Sequence, residues 1–270
     1  MIYTLSFTFG LFTTFLYTNI QKNNIDFSWY SILFLIILLT IGYVILTFAI
    51  SYITCLFVDK NKLVKKPNNF FYFMFLMINE FLCMSARIKV VIKNKELINK
   101  YQKYILICNH RSKFDSMIIA NEFQDVKMCF VSKPENFKIP IVGSIIHKCG
   151  YSPIDREDNR SALKTIIKVS DFVKNNDVWY GVFPEGTRNK EAKGLLDFKS
   201  GCLKISQKTH CPICVMTIKD TNKISKNFPF KSTTVTLEIV EIVDSSIFEK
   251  YSTVEVGNML REKMLNSLKD

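Results

Sequence analysis

From residue 28 to residue 58 the chain carries no charged side chain, and residues 31–50 read SILFLIILLTIGYVILTFAI. A bilayer core of about 30 Å is crossed by roughly 20 apolar residues in a helix, because a helix satisfies its own backbone groups in hydrocarbon. The run therefore predicts a transmembrane helix over about 29–58, and the rest of the chain has to be compatible with a membrane tether. A second uncharged stretch, 2–20, is diluted by Thr4, Thr8, Gly10, Thr13, Thr14 and Thr18. It reads as a first spanning helix, with a helix lying in the interface as the other reading. It lacks the basic start and small-residue cleavage site of a secretory signal, so it is expected to stay.

Lys22 and Asp26 are the only charges before Asp59, whereas Lys60, Lys62, Lys65 and Lys66 follow the apolar run closely. Lysine and arginine collect on the cytoplasmic side of a span. The N-terminus and everything after Val58 are therefore expected at the cytoplasmic face of the cell membrane, with the chain integral to it. Since Lys22 and Asp26 cancel, the whole formal excess, 36 basic minus 24 acidic residues or +12, belongs to the part after Val58. A basic domain beside a membrane suits anionic lipid or an anionic substrate. Nucleic acid is not expected as a partner, because the lysines are spread along the chain and no nucleic-acid-binding motif occurs. The eight cysteines sit in apolar runs, as reduced buried thiols would. Cys211 and Cys214 form a C-x-x-C without a second pair at metal-site spacing, so no metal is expected.

Residues 69–91, NFFYFMFLMINEFLCMSARIKVV, are apolar but interrupted by Asn79, Glu80, Arg87 and Lys89. Over 67–92 this predicts a helix that lies in the interface or packs on the domain. After Lys93 short apolar runs alternate with amphipathic stretches, the pattern of an α/β domain. Strands are expected over 104–108, 127–131, 151–154, 178–183, 213–219 and 233–243. Helices are expected over 116–123, 139–148, 159–175, 201–208 and 254–268. The chain thus divides into a membrane anchor (1–66), the helix over 67–92 and a domain over 93–270.

Polar clusters stand where strands run out into loops, which is where α/β sheets collect function. They are NHRSKFD after YILIC, SKPENFK after KMCFV and FPEGTRNK after VWYGV. His110 and Asp115 are five apart, so one continuous helix would turn them away from each other. With His110 in a turn and Asp115 on the first turn of a helix they can meet, and a carboxylate on one imidazole nitrogen leaves the other as a base. The other reading is a capping carboxylate beside a loop histidine, and spacing alone favours it. In FPEGTR, Gly186 permits an unusual backbone angle and Arg188 offers a guanidinium for bidentate phosphate recognition. The alternative there is an ion pair between Glu185 and Arg188 in a surface turn.

Taken together, these motifs resemble those of the 1-acylglycerol-3-phosphate acyltransferases within the glycerolipid acyltransferases. NHRSKFD (109–115) fits the family's H-x-x-x-x-D motif, GYSPIDR (150–156) the second, FPEGTR (183–188) the third and CPICVM (211–216) the fourth, in the family's order. The resemblance runs from about 106 to 219. It implies an α/β fold with a mixed sheet flanked by helices, here preceded by transmembrane and interfacial helices. It further implies transfer of an acyl chain from an acyl thioester, acyl-CoA or acyl carrier protein, to the free hydroxyl of lysophosphatidate, giving phosphatidic acid. No cofactor beyond that donor is implied. Carried over, His110 is the general base, Asp115 orients it, and Glu185, Gly186, Thr187 and Arg188 bind the acceptor with Arg188 on its phosphate. Lys133 and Arg156 are further phosphate contacts.

Asn189 and Cys214 depart from residues common in the family, serine and a second proline. His147 and His210 match no motif. A sibling activity on another lysophospholipid or on glycerol-3-phosphate shares all these motifs, and a non-catalytic lipid-binding protein of this fold would lack His110 or Asp115. A serine hydrolase would carry G-x-S-x-G, which does not occur.

Overall fold

The structure is a computed structural model that describes residues 2–20, 29–100, 102–155, 158–189 and 194–269. The chain forms two compact units, Met1–Asn61 and Lys62–Asp270.

The first unit is a pair of helices, α1 (Ile2–Ile20) and α2 (Trp29–Leu56). Among the described residues, one helix, Tyr30–Leu56, is long and apolar enough to cross a membrane. Three of the threonines that dilute α1 are satisfied inside the helix. Thr8, Thr13 and Thr14 donate to the carbonyls of Thr4, Phe9 and Gly10, and in α2 Thr40, Thr47 and Thr54 do the same four residues back. A hydroxyl bonded this way is far less costly in an apolar setting than a bare one. The two helices approach closely at Gly10, where an added Cβ would lie 2.9 Å from Thr40 Oγ1, and Phe9 packs on Tyr43 with ring centroids 5.1 Å apart.

The second unit opens with α3 (Asn69–Ser85), capped by the Asn68 side chain, which accepts from the N–H groups of Phe70 and Phe71. The helix is docked on the domain. Phe71, Tyr72, Met74, Phe75, Asn79 and Cys83 are buried, and the Tyr72 hydroxyl donates to Val126 O and accepts from Met128 N. The expectation of one helix over 67–92 is corrected here: Arg87 takes a positive φ of 52°, which ends the helix, and Ile88–Lys93 is strand β1. IKVVIK alternates between half-buried and exposed along its length. That is the period of a sheet edge, so these residues belong to the α/β domain.

The sheet continues with β2 (Ile105–Cys108), β3 (Met128–Ser132), β4 (Ser152–Pro153), β5 (Trp179–Val182), β6 (Ile213–Lys219) and β7 (Thr233–Val243). Between them run α4 (Asp115–Glu122), α5 (Val142–Cys149), α6 (Asn159–Asn175), α7 (Lys204–Thr209) and the short α8 (Ile224–Asn227), and α9 (Thr253–Lys269) closes the chain. The strand order is β1-β7-β6-β2-β5-β3-β4, parallel throughout except for the antiparallel β6–β7 pair. This is a mixed α/β sheet flanked by helices. The central strands β2 and β5 are buried along their whole length, which is why they read as unbroken apolar runs.

The order has one consequence for function. Because β5 lies between β2 and β3, the loops that leave the carboxyl ends of these three parallel strands are neighbours. Those loops begin at Asn109, Lys133 and Phe183, and they carry the three polar clusters.

Candidate active site

The first cluster is braced from below. Asn109, fully buried, donates through Nδ2 to Ile218 O at 2.9 Å and accepts the Ile218 N–H through Oδ1 at 2.7 Å, which ties the end of β2 to β6. The chain then turns so that His110 Nδ1 lies 2.8 Å from Asp115 Oδ2. The same oxygen accepts the N–H groups of Arg111 at 2.7 Å and Ser112 at 2.8 Å. A carboxylate oxygen holding two N–H donors is an acceptor, so Nδ1 carries the proton and Nε2 is the nitrogen left with a lone pair. Asp115 has no exposed surface and sits at the first residue of α4, where the helix dipole favours its charge. Of the two readings that spacing left open, the pairing is the one present: the carboxylate bonds His110 and the N–H groups of the turn before α4, and no side chain caps the helix.

The imidazole is held on its face as well. It stacks on Phe183 at 4.2 Å and 15°, and Phe183 stacks in turn on Phe130 at 5.7 Å and 10°. Its backbone is fixed from the third motif: His110 N donates to Glu185 Oε1 at 2.7 Å, and His110 O accepts the Asn189 N–H at 2.7 Å.

A cavity of about 410 Å³ opens beside His110, between Phe130, Phe183 and Tyr151 on one side and Lys133, Thr187 and Arg188 on the other. Lys113, Ser116 and Asn136 complete its wall. His110, Lys133, Thr187 and Arg188 are therefore brought together. Lys133 and Arg188 are exposed at its rim, cations in reach of an anionic group on a molecule that enters.

Two expected acceptor contacts fall elsewhere. Glu185 is buried at 3% exposure and faces away from the cavity, with Oε1 on His110 N and Oε2 on Leu196 N at 2.9 Å. Its carboxylate accepts backbone donors on both oxygens, so it braces the turn, is not part of the cavity wall and does not make the ion pair with Arg188. Gly186 lies outside the cavity wall; its φ of +68° lets the turn reverse toward Thr187 and Arg188, a conformation other residues adopt only with strain. Arg156 lies outside the described residues. Lys113, Asn136 and Tyr151 lie inside the quoted clusters and motifs and Ser116 beside the first, but no role in those patterns set them apart. Lys113 and Ser116 stand within or next to the first cluster, and only the fold turns them to the cavity.

Cys108 lies directly before Asn109. Burial pushes its thiol well up, and the nearby Asp115, Glu185 and Cys214 add to the shift. It is a neutral thiol at physiological pH and a poor nucleophile. The site offers a histidine–carboxylate pair, three cations and an aromatic wall.

Comparison with known proteins bears on the fold and the family. Residues 89–219 match the family model described as Acyltransferase. The chain is 28% identical over 229 residues to the 1-acyl-sn-glycerol-3-phosphate acyltransferase of Escherichia coli, spanning 84% of this chain and 89% of that one. It is 26% identical over 227 residues to the Saccharomyces cerevisiae protein of the same name, spanning 82% and 71%. The crystal structure of the 1-acyl-sn-glycerophosphate acyltransferase PlsC from Thermotoga maritima superposes with a TM-score of 0.60 at 25% identity, covering 73% of this chain and 78% of that one. With the fold and the relatives in agreement, the chain carries an acyltransferase domain over residues 89–219 and is similar to the 1-acylglycerol-3-phosphate acyltransferases.

Proposed function

We propose that the chain transfers an acyl group from an acyl thioester to the free hydroxyl of 1-acylglycerol-3-phosphate, producing phosphatidic acid for phospholipid synthesis. The observation that carries this reading is the His110 Nδ1 to Asp115 Oδ2 contact of 2.8 Å beside a cavity that holds Lys133 and Arg188. His110 Nε2 takes the acceptor's hydroxyl proton while the oxygen attacks the thioester carbonyl. Asp115 stabilises the imidazolium so formed. When the tetrahedral intermediate collapses, the C–S bond breaks and the imidazolium returns the proton to the leaving thiolate. No acyl-enzyme is needed, in keeping with the absence of an activated nucleophile among the described cavity residues.

Lys133 and Arg188 hold the acceptor's phosphate, with Thr187 beside them and Arg156 as a further cation from the second motif. Phe130, Phe183 and Tyr151 form the apolar side of the same cavity and suit the acyl chain. Acyl-CoA or acyl carrier protein supplies the thioester.

The membrane arrangement follows from the same substrate. The chain is integral to the cell membrane through the helix over Tyr30–Leu56, and α1 is a second span. The lysines after Val58 keep the acyltransferase unit at the cytoplasmic face. The outer side of α3, with Phe70 and Phe73 about half exposed, lies in the interface where the amphiphilic acceptor resides.

The test is to reconstitute the full chain in lipid nanodiscs and offer lysophosphatidate with acyl-CoA, acyl carrier protein thioester and acyl phosphate in turn. Phosphatidic acid formed from one of the thioesters is expected. Acylation of glycerol-3-phosphate or of another lysophospholipid in preference to lysophosphatidate would reassign the acceptor, and lipid binding without turnover of any acceptor would favour a non-catalytic protein.

A further inference from the structure

The segment between α8 and β7 presents two phenylalanines to solvent although its backbone is held firmly. Phe228 is 53% exposed and Phe230 84%. Yet Phe228 N donates to Ile224 O at 2.9 Å, Lys231 N donates to Asn227 O at 2.8 Å, and the Asn227 side chain donates to Thr233 Oγ1 at 2.9 Å. Ile224 beneath is fully buried. Two neighbouring rings displayed by a braced turn form an apolar patch of the kind that marks an interaction site.

Cations surround the rings. Lys226 and Lys231 flank them in sequence and are exposed, and Arg87 reaches across to donate from Nη1 to Phe230 O at 2.9 Å. Aromatic rings at the tip with cations around them suit a surface that is apolar beneath and anionic on top. Protein partners instead favour broad faces, of about 800 Å² a side.

The sheet topology places this tip. Thr236, near the start of β7, pairs with Lys219 at the end of β6, and Met216 of β6 pairs with Cys108 at the end of β2. The turn before β7 therefore stands at the same edge of the sheet as His110. It lies two strands along from β2, about 10 Å at the usual strand spacing. Thr233 also pairs with Ile88, so the last turn of α3, where Met84 is 49% exposed, reaches that edge too.

We propose that Phe228 and Phe230, ringed by Lys226, Lys231 and Arg87, form a wedge that enters the headgroup layer of an anionic bilayer and holds the His110 cavity against the membrane. The consequence for turnover rests on the function proposed above, because it needs an acceptor that resides in the bilayer. The insertion itself does not.

The experiment uses the full chain in nanodiscs of phosphatidylcholine, alone or equimolar with phosphatidylglycerol. Phe230→Trp is introduced in a Trp29→Phe background, whose own emission comes from Trp179, 2% exposed, and is subtracted. Brominated phosphatidylcholine is expected to quench the introduced indole, more strongly with phosphatidylglycerol present, while iodide in the buffer is not. Iodide quenching equal to that of the urea-unfolded chain would overturn the proposal. So would shielding without bromine quenching that grows with the number of chains per nanodisc, which would assign the tip to an interface between copies, or shielding that appears only when another protein is added.

Activity supplies a second readout. The Phe228→Ser/Phe230→Ser variant is expected to lose about tenfold in turnover of bilayer-borne lysophosphatidate while keeping its rate on a short-chain, water-soluble acceptor. An unchanged ratio of the two rates would overturn the proposal. If neither acceptor is turned over by the parent chain, the proposed function fails, and the quenching experiment still decides the wedge.

Discussion

Glu185 Oε1 accepts the backbone N–H of His110 at 2.7 Å while its Oε2 accepts that of Leu196 at 2.9 Å. One carboxylate thus joins the third motif to the catalytic turn of the first and to the chain that follows the third. Glu185→Gln keeps one acceptor oxygen and turns an amide N–H₂ on the other donor. A buried donor left unpaired costs about 1–3 kcal/mol. A fall in thermal midpoint of several degrees is expected, together with a lower kcat and an unchanged KM for lysophosphatidate. Calorimetry and steady-state kinetics check it, and a raised KM at unchanged kcat would instead make Glu185 a substrate contact.

In the proposed mechanism His110 is the base. His110→Ala is expected to lose about 10³-fold or more in kcat, near the upper range of general-base contributions. Asp115→Asn presents to Nδ1 and the two N–H groups a weaker acceptor or a clashing amide, so a loss of roughly 10²–10⁴-fold is expected with some loss of stability. Single-turnover rates read alongside melting curves separate the chemistry from unfolding.

Lys133 and Arg188 line the cavity beside His110 and hold the acceptor's phosphate in the proposed function. A hydrogen bond to a charged group contributes about 1.5–3 kcal/mol, so Arg188→Ala is expected to raise KM for lysophosphatidate by about 10–100-fold. Arg188→Lys should recover part of that, because an ammonium keeps the charge and loses the bidentate geometry. Lys133→Ala should act in the same direction, and raising the salt concentration should weaken acceptor binding less in either alanine variant than in the parent.

Burial raises the thiols of Cys83, Cys108, Cys129, Cys149, Cys202 and Cys214, those of Cys83 and Cys202 to about 12. In the unfolded chain these thiols ionise near pH 8.5. Above that pH the unfolded state binds fewer protons than the native one, so stability falls as pH rises, by about 1.4 kcal/mol per pH unit for each thiol until the folded value is reached. The melting temperature is expected to hold between pH 6 and 8 and drop steeply above pH 9. Replacing Cys129 and Cys214 by alanine should flatten that slope. Cys108→Ala should retain activity, since a neutral buried thiol takes no part in the reaction.

How much was legible in the chain varied with the range of the interaction. Helix α6 (Asn159–Asn175) and strand β7 (Thr233–Val243) have the limits that their amphipathic and alternating patterns predict, although the buried residues of α6, Ile166, Val169, Ser170 and Val173, stand from its middle onward. Strand β1 was hidden. Its half-buried edge follows an apolar helix without a break in composition, and only pairing with β7, more than a hundred residues on, makes it a strand.

The same division runs through the site. The chain alone determined the histidine and carboxylate at a spacing that a turn can close, the cations at strand ends and the long uncharged run before them, since these are local patterns set by chemistry and period. The strand order decided the rest: that β5 separates β2 from β3, that Asn109 clasps Ile218, and that Glu185 turns inward to hold His110 rather than outward to a ligand. A carboxylate meets whichever N–H groups the assembled backbone brings to it, and which groups those are depends on how segments far apart in the chain lie beside one another in the sheet.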